Sequence, residues 1–201
     1  MPSIYGLKPA FQNLLRPITN ALARAGVTAN QVTLAAMLLS FASGALILFL
    51  PLERWPLIVV GPVLFVRMAL NAIDGMLARE HNMKSKLGAF LNELGDVLSD
   101  AALFLPLATR PAVEPYLMVA AVVLSMVSEM AGVVAIQVGA DRRYDGPMGK
   151  SDRAFVFGVL AILLGCSVPV GIWITVLLSV VLALLVLTIC NRVRRALRKD
   201  A

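Results

Sequence analysis

Two short stretches hold most of the carboxylates that stand among apolar neighbours. The first runs Asn71, Ala72, Ile73, Asp74, Gly75, Met76, Leu77, Ala78, Arg79. The second runs Gly88, Ala89, Phe90, Leu91, Asn92, Glu93, Leu94, Gly95, Asp96 and continues to Asp100. On a helix, side chains three or four positions apart share a face. Asn71, Asp74 and Ala78 therefore line one face, and Gly88, Asn92, Asp96 and Asp100 line another. The segment from Arg79 to Lys86 is short enough to make the two helices antiparallel neighbours, so the spacing predicts that Asp74 and Asp96 approach each other. A cation between them would relieve their repulsion. Carboxylate and amide oxygens favour a hard ion, magnesium or manganese, over zinc. No cysteine or histidine cluster competes, and His81, the single histidine, reads as a solvated hairpin residue. Arg79 adds a fixed positive charge at the end of the first stretch.

Such a constellation needs helices in a bilayer. Of the 201 residues 59% are hydrophobic and 15% charged, and the mean hydropathy is +0.84, so there is too little polar surface to cover a water-soluble globule. A hydrocarbon core about 30 Å thick needs roughly 20 apolar residues per helix. Six runs qualify as expected spans, over residues 30–50, 55–78, 87–109, 113–139, 154–168 and 171–190. An ionisable residue inside a span costs on the order of 2.5–3.5 kcal/mol, so several on one pair of helices call for a function. Ahead of the spans, Leu7, Phe11, Leu14, Leu15, Ile18 and Leu22 recur at helical spacing, with Lys8, Gln12, Asn13, Arg16, Asn20 and Arg24 mostly on other faces. That pattern suits an amphipathic helix lying in the membrane interface, the alternative being an ordinary packing helix. No cleavable signal is expected, because the first adequate apolar stretch begins after residue 30. The expected architecture is an all-α integral membrane protein with one domain over 1–201. It divides into an interfacial helix (1–27), a six-helix bundle (28–190) and a basic cytoplasmic tail (191–201).

Basic residues orient the bundle. Lys8, Arg16, Arg24, Arg79, Lys84, Lys86, Arg142, Arg143, Lys150, Arg153, Arg192, Arg194, Arg195, Arg198 and Lys199 fall on one side, against Arg54 and Arg110 on the other, with Arg67 inside a span. The positive-inside rule then makes both termini and the acidic site cytoplasmic, in a bacterial-type inner or plasma membrane. Anionic headgroups suffice to explain the net charge of +6, and no nucleic-acid partner is implied. Cys166 and Cys190 fall near opposite ends of their spans and are expected to stay unpaired.

The run Asp74-Gly75-x-x-Ala78-Arg79, eight residues, Gly88-x-x-x-Asn92-x-x-x-Asp96 resembles the signature of the CDP-alcohol phosphatidyltransferase family, D-x-x-D-G-x-x-A-R-x8-G-x-x-x-D-x-x-x-D. Thr28-Ala29-Asn30-Gln31-Val32-Thr33 at the start of the first span, the six-span count and the preceding helix are also similar. The resemblance implies that an acceptor hydroxyl attacks the lipid-side phosphorus of a CDP-alcohol, with CDP-diacylglycerol as the expected donor, and that CMP leaves. It implies magnesium or manganese at the diphosphate, with Asp74, Asn71, Asn92, Asp96 and Asp100 as candidate ligands. Asp96 resembles the base that takes the hydroxyl proton. Gly75, Ala78, Arg79, Gly88, Asn30 and Thr33 match positions that accommodate the nucleotide. Where the signature has its first and third aspartates this chain has Asn71 and Asn92, so the site carries two fewer formal negative charges. Glu93 or Asp100 offers a replacement carboxylate.

Further polar residues complete the expectations. Glu129 is expected to pair with Arg67 across spans. Arg142, Arg143, Lys150 and Arg153 form a basic segment suited either to a phosphorylated acceptor or lipid phosphate, or to setting topology. The expected partners are a CDP-linked lipid, a small alcohol, membrane lipids and a second copy of the chain in a homodimer. Two other functions fit parts of the pattern: a small cation transporter, and a family member that binds the lipid nucleotide without turnover.

Overall fold

The computed structural model describes residues 4–198, with side chains from Pro9 onward, so the Leu7 and Lys8 side chains and Lys199 lie outside the described residues. Seven α-helices follow one another: α1 (Ile4–Arg24), α2 (Ala29–Phe49), α3 (Trp55–Glu80), α4 (Lys86–Phe104), α5 (Pro115–Val134), α6 (Lys150–Gly165) and α7 (Ile172–Leu197). Single 3-10 segments extend α4 over Leu105–Thr109 and α5 over Ala135–Val138. Among the described residues there is no strand. Among the described residues four helices are long and apolar enough to cross a membrane: α2, α3, α5 with its 3-10 extension, and α7. The other two expected spans fall short for different reasons. α4 has 19 residues and carries Lys86, Glu93, Asp96 and Asp100; α6 has 16, about 24 Å of helix, and opens Lys150-Ser151-Asp152-Arg153. The segment expected as a tail is helical through Leu197, as the continuation of α7.

The chain divides into two compact units, Met1–Ala42 with Pro62–Ser99, and Ser43–Gly61 with Asp100–Ala201. In the first, α1 packs through Phe11, Leu15, Leu22 and Ala23 against Ala29 and Val32 of α2 and Ile73 and Leu77 of α3. Phe11 meets Phe65 edge-on, with ring centroids 6.2 Å apart. The opposite side of α1 leaves Leu14 and Ile18 exposed. α1 thus both packs and keeps an apolar stripe outward. It stops in a Schellman motif, in which Val27 N–H donates to Leu22 O and Gly26 N–H to Ala23 O. Gly26 takes the left-handed conformation that the motif requires, at φ +76°. α2 then starts with a reciprocal cap: Gln31 N–H donates to Thr28 Oγ1 (3.3 Å) and Thr28 N–H to Gln31 Oε1 (2.9 Å).

In the second unit small residues allow close helix approach. A Cβ on Gly44 of α2 would run into the backbone carbonyl of Ala102 on α4, and one on Gly165 of α6 would stand 2.7 Å from Ile58 Cγ1 of α3. Phe104 and Phe157, both buried, stack at 4.9 Å between centroids. Arg110 does not serve as a surface charge. It is buried, and it donates to the carbonyls of Ile47 (3.1 Å), Leu50, Pro51 and Glu53, closing the C-terminal end of α2 where carbonyls lack helical partners. Burial pushes its guanidinium below the ordinary value, yet an arginine remains charged at any physiological pH.

Candidate active site

The acidic site belongs to the first unit and is built from α2, α3 and α4. On α3 the residues at 67, 71, 74 and 78 recur at spacings of four, three and four, so one stripe presents Arg67, Asn71, Asp74 and Ala78. Asp74 is buried, at 5% exposure, and Thr33 of α2 donates its hydroxyl to Asp74 Oδ2 at 2.8 Å. This bond sets Thr33 against the expected metal-binding carboxylate. Across from the stripe, Asp96 of α4 receives two groups from α3. Asn71 Nδ2 donates to Asp96 Oδ1 at 3.3 Å. Arg67 Nη2 lies 3.8 Å from the same oxygen and donates to the Asp96 carbonyl at 3.2 Å. Arg67 is 3% exposed, and a buried guanidinium requires a counter-charge, which Asp96 supplies.

The small residues of the signature have distinct surroundings. A Cβ on Gly75 would stand 3.1 Å from Arg79 Nη2, so the glycine gives the Arg79 guanidinium room to fold back along α3. A Cβ on Gly88 would stand 2.6 Å from Asn30 Oδ1 and 2.9 Å from Ser85 Oγ. Ser85 caps α4, accepting from Gly88 N–H at 2.9 Å, and Asn30 Nδ2 donates to Ser85 Oγ at 3.4 Å. The stretch from Thr28 to Thr33 is therefore shared out: Thr28 and Gln31 cap α2, Asn30 meets the start of α4, and Thr33 meets Asp74. Ala78 packs against the core beneath α1, and Asn92 and Glu93 are half-buried on α4. His81, expected as a solvated residue, is half-buried and hydrogen-bonds Asn20 at 3.0 Å.

The donor types fit a hard divalent ion, since the side chains that the signature supplies, Asp74, Asp96, Asn71 and Asn92 with Thr33 at Asp74, are carboxylates, amides and a hydroxyl without any soft ligand. It is a lean set. Among the described residues no three His, Cys, Asp or Glu gather in a way that would hold a metal.

The second unit holds Arg142, Arg143, Lys150, Arg153 and Arg192, in an arrangement the sequence did not foretell. Glu129, expected to pair with Arg67, lies 2.9 Å from Arg153, 3.4 Å from Arg192 and 3.5 Å from Arg142. Arg153 also reaches Asp100 Oδ2 at 3.3 Å and donates to Ser128 Oγ and Met148 O. With 1% of its side chain exposed and these partners in place, Arg153 is a buried counter-ion to Glu129 and to Asp100. Arg143 donates to Arg195 O at 3.1 Å, and Arg142 lies over the Tyr144 ring at 4.7 Å. Lys150 is half-buried at the start of α6. Arg192 was missed because it follows the last apolar run; the clue was its place four residues after Thr188 on a continuing helix face. Cys166 and Cys190 are both free thiols.

Comparison with known proteins bears on this geometry. The model of the CDP-alcohol phosphatidyltransferase family matches residues 26–190. The chain is 42% identical to the inner membrane protein YnbA of Escherichia coli K12 over 199 residues, covering 99% of this chain and 98% of that one. It is 29% identical to a phosphatidylinositol phosphate synthase of Mycolicibacterium smegmatis over 196 residues, covering 90% of this chain and 86% of the relative. The fold also matches the phosphatidylinositol phosphate synthase of Mycobacterium tuberculosis. Its structure in complex with manganese and citrate has a TM-score of 0.73 and 25% identity, covering 92% of each chain. The family depends on a divalent metal, in keeping with the oxygen donors at Asp74 and Asp96. The signature spacing, the Thr33–Asp74 and Asn71–Asp96 contacts, the apolar helices and the match over 26–190 lead to one assignment: this integral membrane protein belongs to the CDP-alcohol phosphatidyltransferase family.

Proposed function

We propose that the chain transfers a phosphatidyl group from CDP-diacylglycerol to the hydroxyl of a small alcohol, releasing CMP, as a step of phospholipid synthesis. The observation that carries this reading is the pairing of Asp74 with Thr33 and of Asp96 with Asn71, which gathers signature positions from three helices. The related synthase of Mycobacterium tuberculosis has been solved with CDP-DAG bound, which supports the donor.

In this reading Asp74, Asn71, Asn92 and Asp96 would hold the divalent ion, which when bound neutralises the diphosphate and stabilises charge on the departing CMP. Arg79, over the open backbone at Gly75, adds positive charge at the nucleotide, and Gly88, Ala78, Asn30 and Thr33 shape the space it enters. Asp96 takes the proton from the attacking hydroxyl, held in orientation by Arg67 and Asn71. The basic segment with Arg142, Arg143, Lys150 and Arg153 is suited by its charge to a phosphorylated acceptor or lipid phosphate. α4 and α6 join the four long helices in six crossings, α1 lies at the interface with Leu14 and Ile18 toward lipid, both termini and the site face the cytoplasm, and two copies form a dimer. The basic asymmetry and the exposed stripe on α1 support this topology.

The test is purified protein in nanodiscs with CDP-diacylglycerol, magnesium or manganese, and a panel of glycerol phosphate, inositol phosphate and serine, with CMP and lipid products measured. Metal-dependent CMP release with a matching lipid product is expected. CMP release no greater than that of an Asp96→Asn control with every alcohol would reject the reading.

A further inference from the structure

We infer that Arg16 and Asn20 of α1 are positioning residues for Arg79: they hold the last turn of α3, from which Arg79 meets the diphosphate of the CDP-linked donor. The inference rests on the phosphatidyl-transfer reading above and adds α1 to the machinery of that site.

Arg79 stands where a helix is weakest. Glu80 is the last residue of α3, His81 N–H still donates to Leu77 O at 3.2 Å, and Asn82 takes the left-handed conformation, φ +55°, that commonly stops a helix. The carbonyls of a terminal turn lack helical partners, and such turns fray unless another element holds them. Arg79 is also exposed, so its direction depends on the turn that carries it.

α1 supplies the hold from one of its faces. Arg16 Nε and Nη2 donate to Glu80 Oε2 and Oε1, at 3.2 and 3.1 Å, which makes the pair bidentate. Asn13, three residues earlier, accepts from Arg16 Nη1 at 2.7 Å and steadies the guanidinium plane. Asn20, one turn later, hydrogen-bonds His81 at 3.0 Å. Between these polar links Thr19 Oγ1 lies 3.9 Å from Met76 Sδ, both residues being fully buried, and Leu15 packs with Ile73 and Leu77. The face of α3 formed by residues 73, 76, 77 and 80 is thus bound to α1 down to its last residue. Each residue advances a helix by about 100°, so fixing Glu80 and His81 fixes the direction in which Arg79 leaves the backbone.

Magnitude separates this role from plain stability. The Arg16 and Glu80 side chains are 45% and 38% exposed, and an ion pair so placed contributes little to folding. The apolar contacts of Phe11, Leu15 and Leu22 already dock α1. What the polar links add is the register of the terminal turn.

The test uses the full chain in nanodiscs. Binding of CDP with magnesium present is measured by isothermal titration calorimetry, beside the thermal midpoint and CMP release from CDP-diacylglycerol. Arg16→Met is expected to leave the midpoint unchanged and to raise the Kd for CDP about fivefold or more, a share of what a charge-assisted hydrogen bond carries. KM for the CDP-linked lipid should rise with it while kcat holds. Arg16→Glu combined with Glu80→Arg should recover most of the binding that either single reversal loses. In an Arg79→Ala background Arg16→Met should add nothing, because the side chain it positions is gone. Wild-type CDP binding in Arg16→Met, an undiminished further loss in the Arg79→Ala background, or a fall in midpoint that tracks the loss of binding overturns the proposal. The wild type separates the two readings. CDP binding that depends on Arg16 without CMP release on any alcohol rejects the phosphatidyl-transfer reading and leaves the positioning role standing, whereas turnover that Arg16→Met does not alter rejects the positioning role alone.

Discussion

Arg153 Nη2 lies 2.9 Å from Glu129 Oε1, and both side chains are almost wholly removed from solvent. Arg192 and Arg142 converge on the same carboxylate. Removing one partner of a buried ion pair costs about 3–5 kcal/mol, because the charge left behind is neither solvated nor matched. Glu129→Gln should therefore lower the thermal midpoint in detergent sharply. Arg142→Ala, whose side chain is 22% exposed, should cost about 1 kcal/mol or less. Equal midpoints for Glu129→Gln and wild type would remove the network from the account of stability.

Thr33→Val keeps the shape of the side chain and deletes the hydroxyl that meets Asp74 Oδ2 at 2.8 Å. A hydrogen bond to a charged group contributes about 1.5–3 kcal/mol. We expect kcat/KM for the CDP-linked lipid to fall roughly tenfold or more on that scale, with Thr33→Ser restoring most of it. Unchanged steady-state constants in Thr33→Val would argue that the contact is structural only.

Asp96→Asn retains volume and loses the proton acceptor. General-base catalysis contributes on the order of 100- to 10,000-fold, so CMP release should drop by at least the lower figure while the elution profile and CDP-lipid binding persist. Near-normal turnover would exclude Asp96 as the base.

Arg110→Met leaves the carbonyls of Ile47, Leu50, Pro51 and Glu53 without the guanidinium that closes them. A loss of about 2 kcal/mol or more is expected from these charge-assisted bonds. Arg110→Lys should recover only part of it, since an ammonium lacks the planar fork. Thermal unfolding of the two variants side by side decides.

Gly44→Ala and Gly75→Ala make an informative pair. At 44 the new methyl meets rigid backbone of Ala102, and overpacking of that kind costs about 1–3 kcal/mol. At 75 it meets the mobile end of Arg79, which can swing aside. Gly44→Ala should lower the thermal midpoint, and Gly75→Ala should leave it near wild type and raise KM for the CDP-linked lipid. The reverse ranking would contradict the packing described here.

The acidic site was readable because its determinants are periodic. Residues 71, 74 and 78 on one helix and 88, 92 and 96 on the next announce their shared faces through spacing alone, and the hairpin between them fixes the pairing of the helices. The arginines were not readable in the same way. Arg67 and Glu129 looked like natural partners as ionisable residues within expected spans, but the choice among cations is made by helix rotation and depth. α3 sets Arg67 beside Asp96, while Arg142 of the loop after α5, Arg153 of α6 and Arg192 of α7 converge on Glu129. Arg192 had the added disguise of following an apolar run that seemed to end at Cys190, whereas the helix continues to Leu197. Helix starts lay between these cases. The Thr28 and Gln31 pair is a legible capping signal, set among the Asn30 and Thr33 positions that the family resemblance assigns to the nucleotide.

That cap at Thr28 and Gln31 also works as an indexing pin. It fixes the phase from which α2 is wound, and five residues later the winding delivers Thr33 to Asp74. Each residue advances a helix by about 100°, so inserting or deleting one residue between the cap and Thr33 would carry the hydroxyl round to another side of the helix without shortening the apolar run that inserts into the membrane. This brief stretch should therefore accept exchanges of apolar side chains and refuse changes of length.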